Sequence, residues 1–286
     1  MPTFRLALAA TAAAAIAVSG CTSGGGENNQ SANPANAAGQ AEVPKLPIPI
    51  PEPPLGRERL LVAAMQAATD FAAGTDDGDR QKQLANKKFE VRIRFGCEGP
   101  SPSGPPALGW SLNEKTGTLK LKATPALSPK DEPVAHIAGE AFEAVEGFWV
   151  RRPWMLSAAC PRAAKPADAE AGATATEQPQ TPAEARWRPD QLVGIAQFFT
   201  ATAPRTMRRS GRPYEATKRL EEGDRPNGGF DLILAGRLVP LPNGRVIACT
   251  GEPGDGRPAC IVSVEFGKVS IERADTHEQI AQWGTG

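Results

Sequence analysis

One tyrosine, Tyr214, and two histidines, His136 and His277, are all that 286 residues offer for acid–base chemistry near neutral pH. That shortage narrows the range of enzymes this chain can be. Charge of either sign in excess is also missing: lysine plus arginine and aspartate plus glutamate are 32 each. A balanced chain lacks the basic footprint of a nucleic-acid binder, so nucleic acid is not an expected partner. No Gly-x-Ser-x-Gly, phosphate loop or dinucleotide fingerprint occurs. There is no Cys-x-x-Cys pair or dense Cys/His cluster, so neither a metal nor any other cofactor is implied. The longest apolar run, Leu6 to Val18, is about 13 residues, short of the roughly 20 that span a bilayer.

What is abundant is glycine and proline, 29 and 28, concentrated in segments that cannot pack. Residues 1–20 have the layout of an export signal: a free amine with Arg5, the apolar run, then small residues. The junction Val18-Ser19-Gly20-Cys21 resembles the lipobox of bacterial lipoproteins. In that family the cysteine thiol receives a diacylglycerol, the signal is cut before it, and the new amine is acylated. The resemblance makes Cys21 the first mature residue, held to a membrane by fatty acyl chains. Several chains on one residue give a stable anchor where one gives marginal binding. Thr22, rather than an aspartate, implies by the same resemblance the outer membrane over the inner, with the body facing the periplasm. The competing reading is cleavage after Ala15-Ile16-Ala17, which releases the chain from the membrane.

Residues 21–56 read as a lipidated tether, flexible at first and then a stiff polyproline rod through Pro44 to Pro54. Residues 57–286 read as one globular α+β domain, mostly antiparallel sheet, with a covering N-terminal helix and a disordered insert at about 162–185. The three- and four-residue spacing of Leu60, Leu61, Ala64, Ala68 and Phe71 predicts that helix over 57–73. Period-two alternation predicts a strand from Lys88, and Asn113 to Gly117 join two strands as a hairpin. A further strand is expected at Val145 to Val150, while Val134 to Glu146 fits helix or strand. Asp190 is expected to cap a short buried helix carrying Leu192 to Phe199. Phe230–Pro240, Arg245–Cys249, Cys260–Phe266 and Val269–Ile271 read as a four-stranded meander, with turns at Asn243-Gly244 and Gly267-Lys268. A strand at 213–220 is a candidate to precede it.

With Cys21 committed to lipid, four cysteines remain, an even number in an exported chain. Cys249 ends one predicted strand and Cys260 opens the next, an easy bridge. That leaves Cys97, at another strand end, for Cys160.

The candidate binding residues are Trp149, Arg151, Arg152 and Trp154. On a strand Trp149 and Arg151 share a face, and an aromatic flanked by guanidinium can stack on a sugar or hold a phosphate. The same residues also fit a core strand with its tryptophans inside and its arginines snorkelling outward, the commoner outcome. His136 near Glu140 and Glu143, His277 beside Asp275 and Glu278, and the basic run Arg208-Arg209-Ser210-Gly211-Arg212 read as surface features. The expectation is a non-enzymatic envelope component that binds an envelope protein or glycan. The alternative is an envelope hydrolase or transferase acting on glycan or peptide. A pocket with two facing acids favours the enzyme, and an exposed apolar or Trp/Arg patch favours the binding module.

Overall fold

Phe89, Val91, Ile93 and Phe95 alternate with Glu90, Arg92 and Arg94. In the computed structural model this alternation is a strand, β1 (Lys88–Phe95), with its apolar set buried. The structure describes residues 52–75, 77–161, 192–251 and 257–284. The signal segment, Cys21, most of the tether, the 162–185 insert and Asp190 lie outside them. Residues Pro51–Gly286 form one compact unit with its own core, and the body takes in Leu55, which the sequence assigns to the tether. The Leu55 N–H donates to Lys88 O and the Glu90 N–H to Leu55 O, so this segment runs parallel along the open edge of β1.

Helix α1 (Arg57–Ala72) buries Leu60, Leu61 and Ala64 on the predicted face. A short helix, α2 (Gly78–Leu84), follows, capped by the Asp77 carboxylate accepting from the Arg80 N–H at 3.0 Å. Strands β2 (Leu108–Asn113) and β3 (Thr118–Ala123) form the expected hairpin, with Gly117 at φ 63° in the turn. The ambiguous stretch holds both candidates in succession, α3 (Glu132–Ala138) and β4 (Ala144–Trp149). The remaining strands are β5 (Val193–Phe199), β6 (Tyr214–Arg219), β7 (Phe230–Leu238), β8 (Ile247–Thr250), β9 (Ala259–Arg273) and β10 (Gln279–Gly284).

Three expectations change. The apolar segment Leu192 to Phe199 is not a helix: it is β5, hydrogen-bonded on one side to β4 and on the other, in parallel, to β9. A central strand buried on both faces is apolar throughout and carries no period to separate it from a buried helix. The strand at 213–220 exists as β6, but it joins β3 in a separate sheet of order β2-β3-β6. The meander is also rewired. Gly267 is no turn but the extra residue of a β-bulge, opposite the Ala235/Gly236 step of β7, so β9 runs unbroken for 15 residues. Strands β7 and β8 do not pair with each other. They lie end to end on one edge of β9, and the chain between them makes a small excursion tipped by Asn243-Gly244, with Gly244 at φ 78°.

The large sheet therefore has the order β1-β7-β9-β5-β4, with β8 and β10 also on β9. All named strand pairs but β5–β9 are antiparallel, which gives the α+β architecture. One face packs on α1 and on the small sheet, with Trp110 edge-on to Phe230 at 5.4 Å. The other face, at the β4-β5-β9 end, packs Ala196 and Ile261 against Val134 and Ala138 of α3.

Tyr214 joins the two sheets, 6.1 Å from Phe148 and 5.2 Å from Trp283 by ring centroids. Burial pushes its phenol up to about 12, and the Arg209 guanidinium over its ring only partly opposes this. The unfolded chain ionises from about pH 10 while the fold holds the proton, so this contribution is complete below 10 and is lost as pH rises toward 12. Between about pH 9.5 and 11 the wild type is expected to lose roughly 1 kcal/mol more than Tyr214→Phe in urea unfolding. Equal losses would show that the phenol ionises without resistance.

Candidate binding surface

Strand β4 ends at Trp149, and the chain then turns through Arg152, whose φ is 51°. The following segment is held by one side chain, Arg57, the first residue of α1. Its Nε donates to Met155 O at 3.0 Å, Nη2 to Arg151 O and Arg152 O at 3.0 and 3.1 Å, and Nη1 to Arg92 O of β1 at 3.1 Å. Strands β1 and β4 stand at opposite ends of the sheet order. A single guanidinium thus reaches from the edge of one to the chain leaving the other, and the sheet is curled enough to bring its ends together. The Cys97–Cys160 disulfide repeats this connection, with Cα atoms 5.6 Å apart. Arg57 is buried, and its burial lowers its pKa against the opposing charge of Asp231. Asp231 is itself clasped by Arg94 through bonds of 2.6 and 2.9 Å.

The second disulfide, Cys249–Cys260, joins opposed residues of β8 and β9, with Cα atoms 4.0 Å apart. Both pairings are those read from the sequence, the second from strand ends and the first as the remaining pair.

The four candidate binding residues do not form one surface. Trp149 packs partly buried beside the α3 core, one of its ring carbons 3.3 Å from where a Cβ on Gly194 would stand. The strand ends there, so Trp149 and Arg151 do not continue on a shared face. Arg151 and Arg152 line a cleft with Arg57 and Arg94, and Arg152 lies 3.7 Å from Glu98. That cleft leaves about 10 Å³, room for roughly one water, so it holds no ligand of its own. Trp154 turns outward, 56% exposed.

Trp154 stands over an open groove of about 580 Å³ lined by Met65, Ala68, Pro153, Val193 and Arg257. The sequence alone did not single out Met65 and Val62, although helical spacing puts Met65 at the edge of the buried face, one turn after Leu61, and Val62 on the outer face, where an apolar side chain is unexpected. Arg257, Leu192 and Pro258 reach the groove only because β9 and β5 pair, which no local pattern foretells.

The basic run read as a surface feature is not one throughout. Arg208 is buried and donates to Thr200 O at 2.7 Å and Ala203 O at 3.3 Å, with Glu143 beside it at 3.2 Å. His136 meets the Thr250 hydroxyl at 3.3 Å, and α3 ends at Ala138, so Glu140 does not share its helical face. His277, at φ 59°, sits in the connection from β9 to β10. Among the described residues no group of three or more His, Cys, Asp or Glu is placed to hold a metal ion, and no helix is long and apolar enough to cross a membrane. No protein-family model matches the chain, and comparisons with curated proteins and with solved structures give no match.

Proposed function

We propose that this chain is a lipoprotein of the bacterial envelope, anchored through acyl chains on Cys21 at the outer membrane and facing the periplasm. Its disulfide-braced body works by binding or assembly, not by catalysis. The observation that supports a binding role is the exposed Trp154 over an apolar groove with Arg257 in its lining. Two disulfides are consistent with an oxidising compartment, as export requires.

Intact mass and detergent partitioning of the native protein beside Cys21→Ala test the anchor. The wild type is expected to lack residues 1–20, to carry diacyl or triacyl mass and to enter the detergent phase, while Cys21→Ala does none of these. Cleavage after Ala17 in both, with both remaining aqueous, would overturn it.

A further inference from the structure

Among the described residues, the large apolar side chains left exposed are Val62, Met65, Trp154 and Leu156. All four belong to two neighbouring segments, the outer face of α1 and the stretch that Arg57 and the Cys97–Cys160 disulfide pin beside it. Single exposed apolar residues mean little, but Met65 and Trp154 line one groove, and Val62 and Leu156 belong to the same two segments. Its border is cationic. Arg59 lies one turn before Val62 on the same helix face, Arg257 lines the groove, and Arg151 and Arg152, which precede Pro153-Trp154 in the chain, line the neighbouring cleft. Among the described residues, Glu58 and Asp70 lie on α1, Asp70 engaged by Arg80 at 2.7 Å, and Glu98 lies 3.7 Å from Arg152; Glu252 and Asp255, near Arg257 in the chain, and Asp190, near Leu192, lie outside them.

We propose that this face docks on the surface of an anionic phospholipid bilayer. Tryptophan settles at the headgroup level, where its ring is buried and its N–H stays wet, and aliphatic and thioether side chains reach just below. Arginine stems lie along such a surface while their guanidinium groups meet phosphate. The groove between α1 and Trp154 gives the boundary region of the lipid a concave seat. Chain continuity agrees. Cys21 precedes α1, the helix that carries half of the patch, by about 35 residues, and at ~3.3 Å each these allow the contact from a lipid anchor. The inference deepens the binding role proposed above, but it does not depend on acylation of Cys21.

Residues 51–286 carry the complete core and lack residue 21, so they separate the two claims. This unit is expected to float with vesicles of equimolar phosphatidylglycerol and phosphatidylethanolamine, not with phosphatidylcholine alone, and to be released by about 0.5 M salt. Trp154→Ala should weaken the partition about tenfold and Arg257→Gln about fivefold. Near-ultraviolet circular dichroism checks that each variant is folded. Failure to float with the anionic vesicles would overturn the proposal, as would flotation that Trp154→Ala leaves unchanged. A dimer that Trp154→Ala dissociates would also overturn it, by assigning the patch to a second copy of the chain. None of these results touches the mass measurement on Cys21.

Discussion

Arg57→Met is expected to lower the unfolding free energy by about 4 kcal/mol, more than any surface change on the same helix. Four carbonyls, of Arg92, Arg151, Arg152 and Met155, take their hydrogen bonds from this one guanidinium. Methionine fills much of the stem's volume and returns none of those donors. An orphaned buried acceptor costs about 1–3 kcal/mol, and water admitted at the half-exposed end of the site recovers part of the sum. Lysine carries three donors on a point charge instead of a planar fork, so Arg57→Lys should recover only part of the loss. Arg59→Met, two residues along on the exposed face, should change stability by less than about 0.5 kcal/mol. Urea unfolding with both disulfides intact measures all three. Amide exchange adds a local test, because protection should be lost first over residues 150–160. A loss below about 1 kcal/mol in Arg57→Met would mean that water replaces the guanidinium, and the closure would then rest on the Cys97–Cys160 bond alone.

Arg57 also shows where sequence reasoning stops. The helix it begins was legible, because Leu60, Leu61 and Ala64 recur at helical spacing, and so was β1, because Phe89 to Phe95 alternate. The Cys249–Cys260 disulfide was legible from cysteines at adjoining strand ends, and Cys97–Cys160 followed as the remaining pair. Apart from that remaining pair, the signal lies within a few residues of what it specifies. Arg57 stands three and four residues before Leu60 and Leu61 and so falls on the buried face, unlike Arg59, but it meets Met155 across 98 positions and nothing local names the carbonyls it reaches. The same limit explains β5: its side chains enter two cores, Val193 and Ile195 in one and Ala196 and Phe198 in the other, and both are built from distant segments. The candidate site divides along the same line. Trp154 and its flanking arginines stood out as a composition, whereas the groove beneath Trp154 exists because α1, β5 and β9 converge there. Trp149, five residues earlier and chemically identical, went to the α3 core because β4 points it that way.

Gly236→Ala is expected to cost about 3 kcal/mol or more, whereas Gly267→Ala, one step across the same bulge, should be nearly neutral. A Cβ on Gly236 would stand 2.0 Å from Glu265 O and 3.0 Å from Gly267 N, both backbone atoms that no side-chain rotation can move. On Gly267 the nearest atoms, Ala235 O and the Gly236 Cα, are 3.9 Å away, an ordinary contact, and the residue is exposed. The contrast therefore isolates the geometry of the bulge from the general cost of adding a methyl group to a strand. Sequence alone made Gly267 the glycine of consequence, as the supposed turn; the structure transfers that role to Gly236. A bulge bends its strand and increases the local twist, and this one lies midway along β9, on whose edges four other strands pair. Flattening β9 there would swing β1 and β7 away from β4 and β5, the two ends that Arg57 spans. Gly236→Ala should accordingly be partly non-additive with Arg57→Met in a double-mutant cycle, the second change costing less once the first is made. Simple additivity would show that the bulge and the closure are independent, and would leave the curl of the sheet to be set by Arg57 and the disulfide.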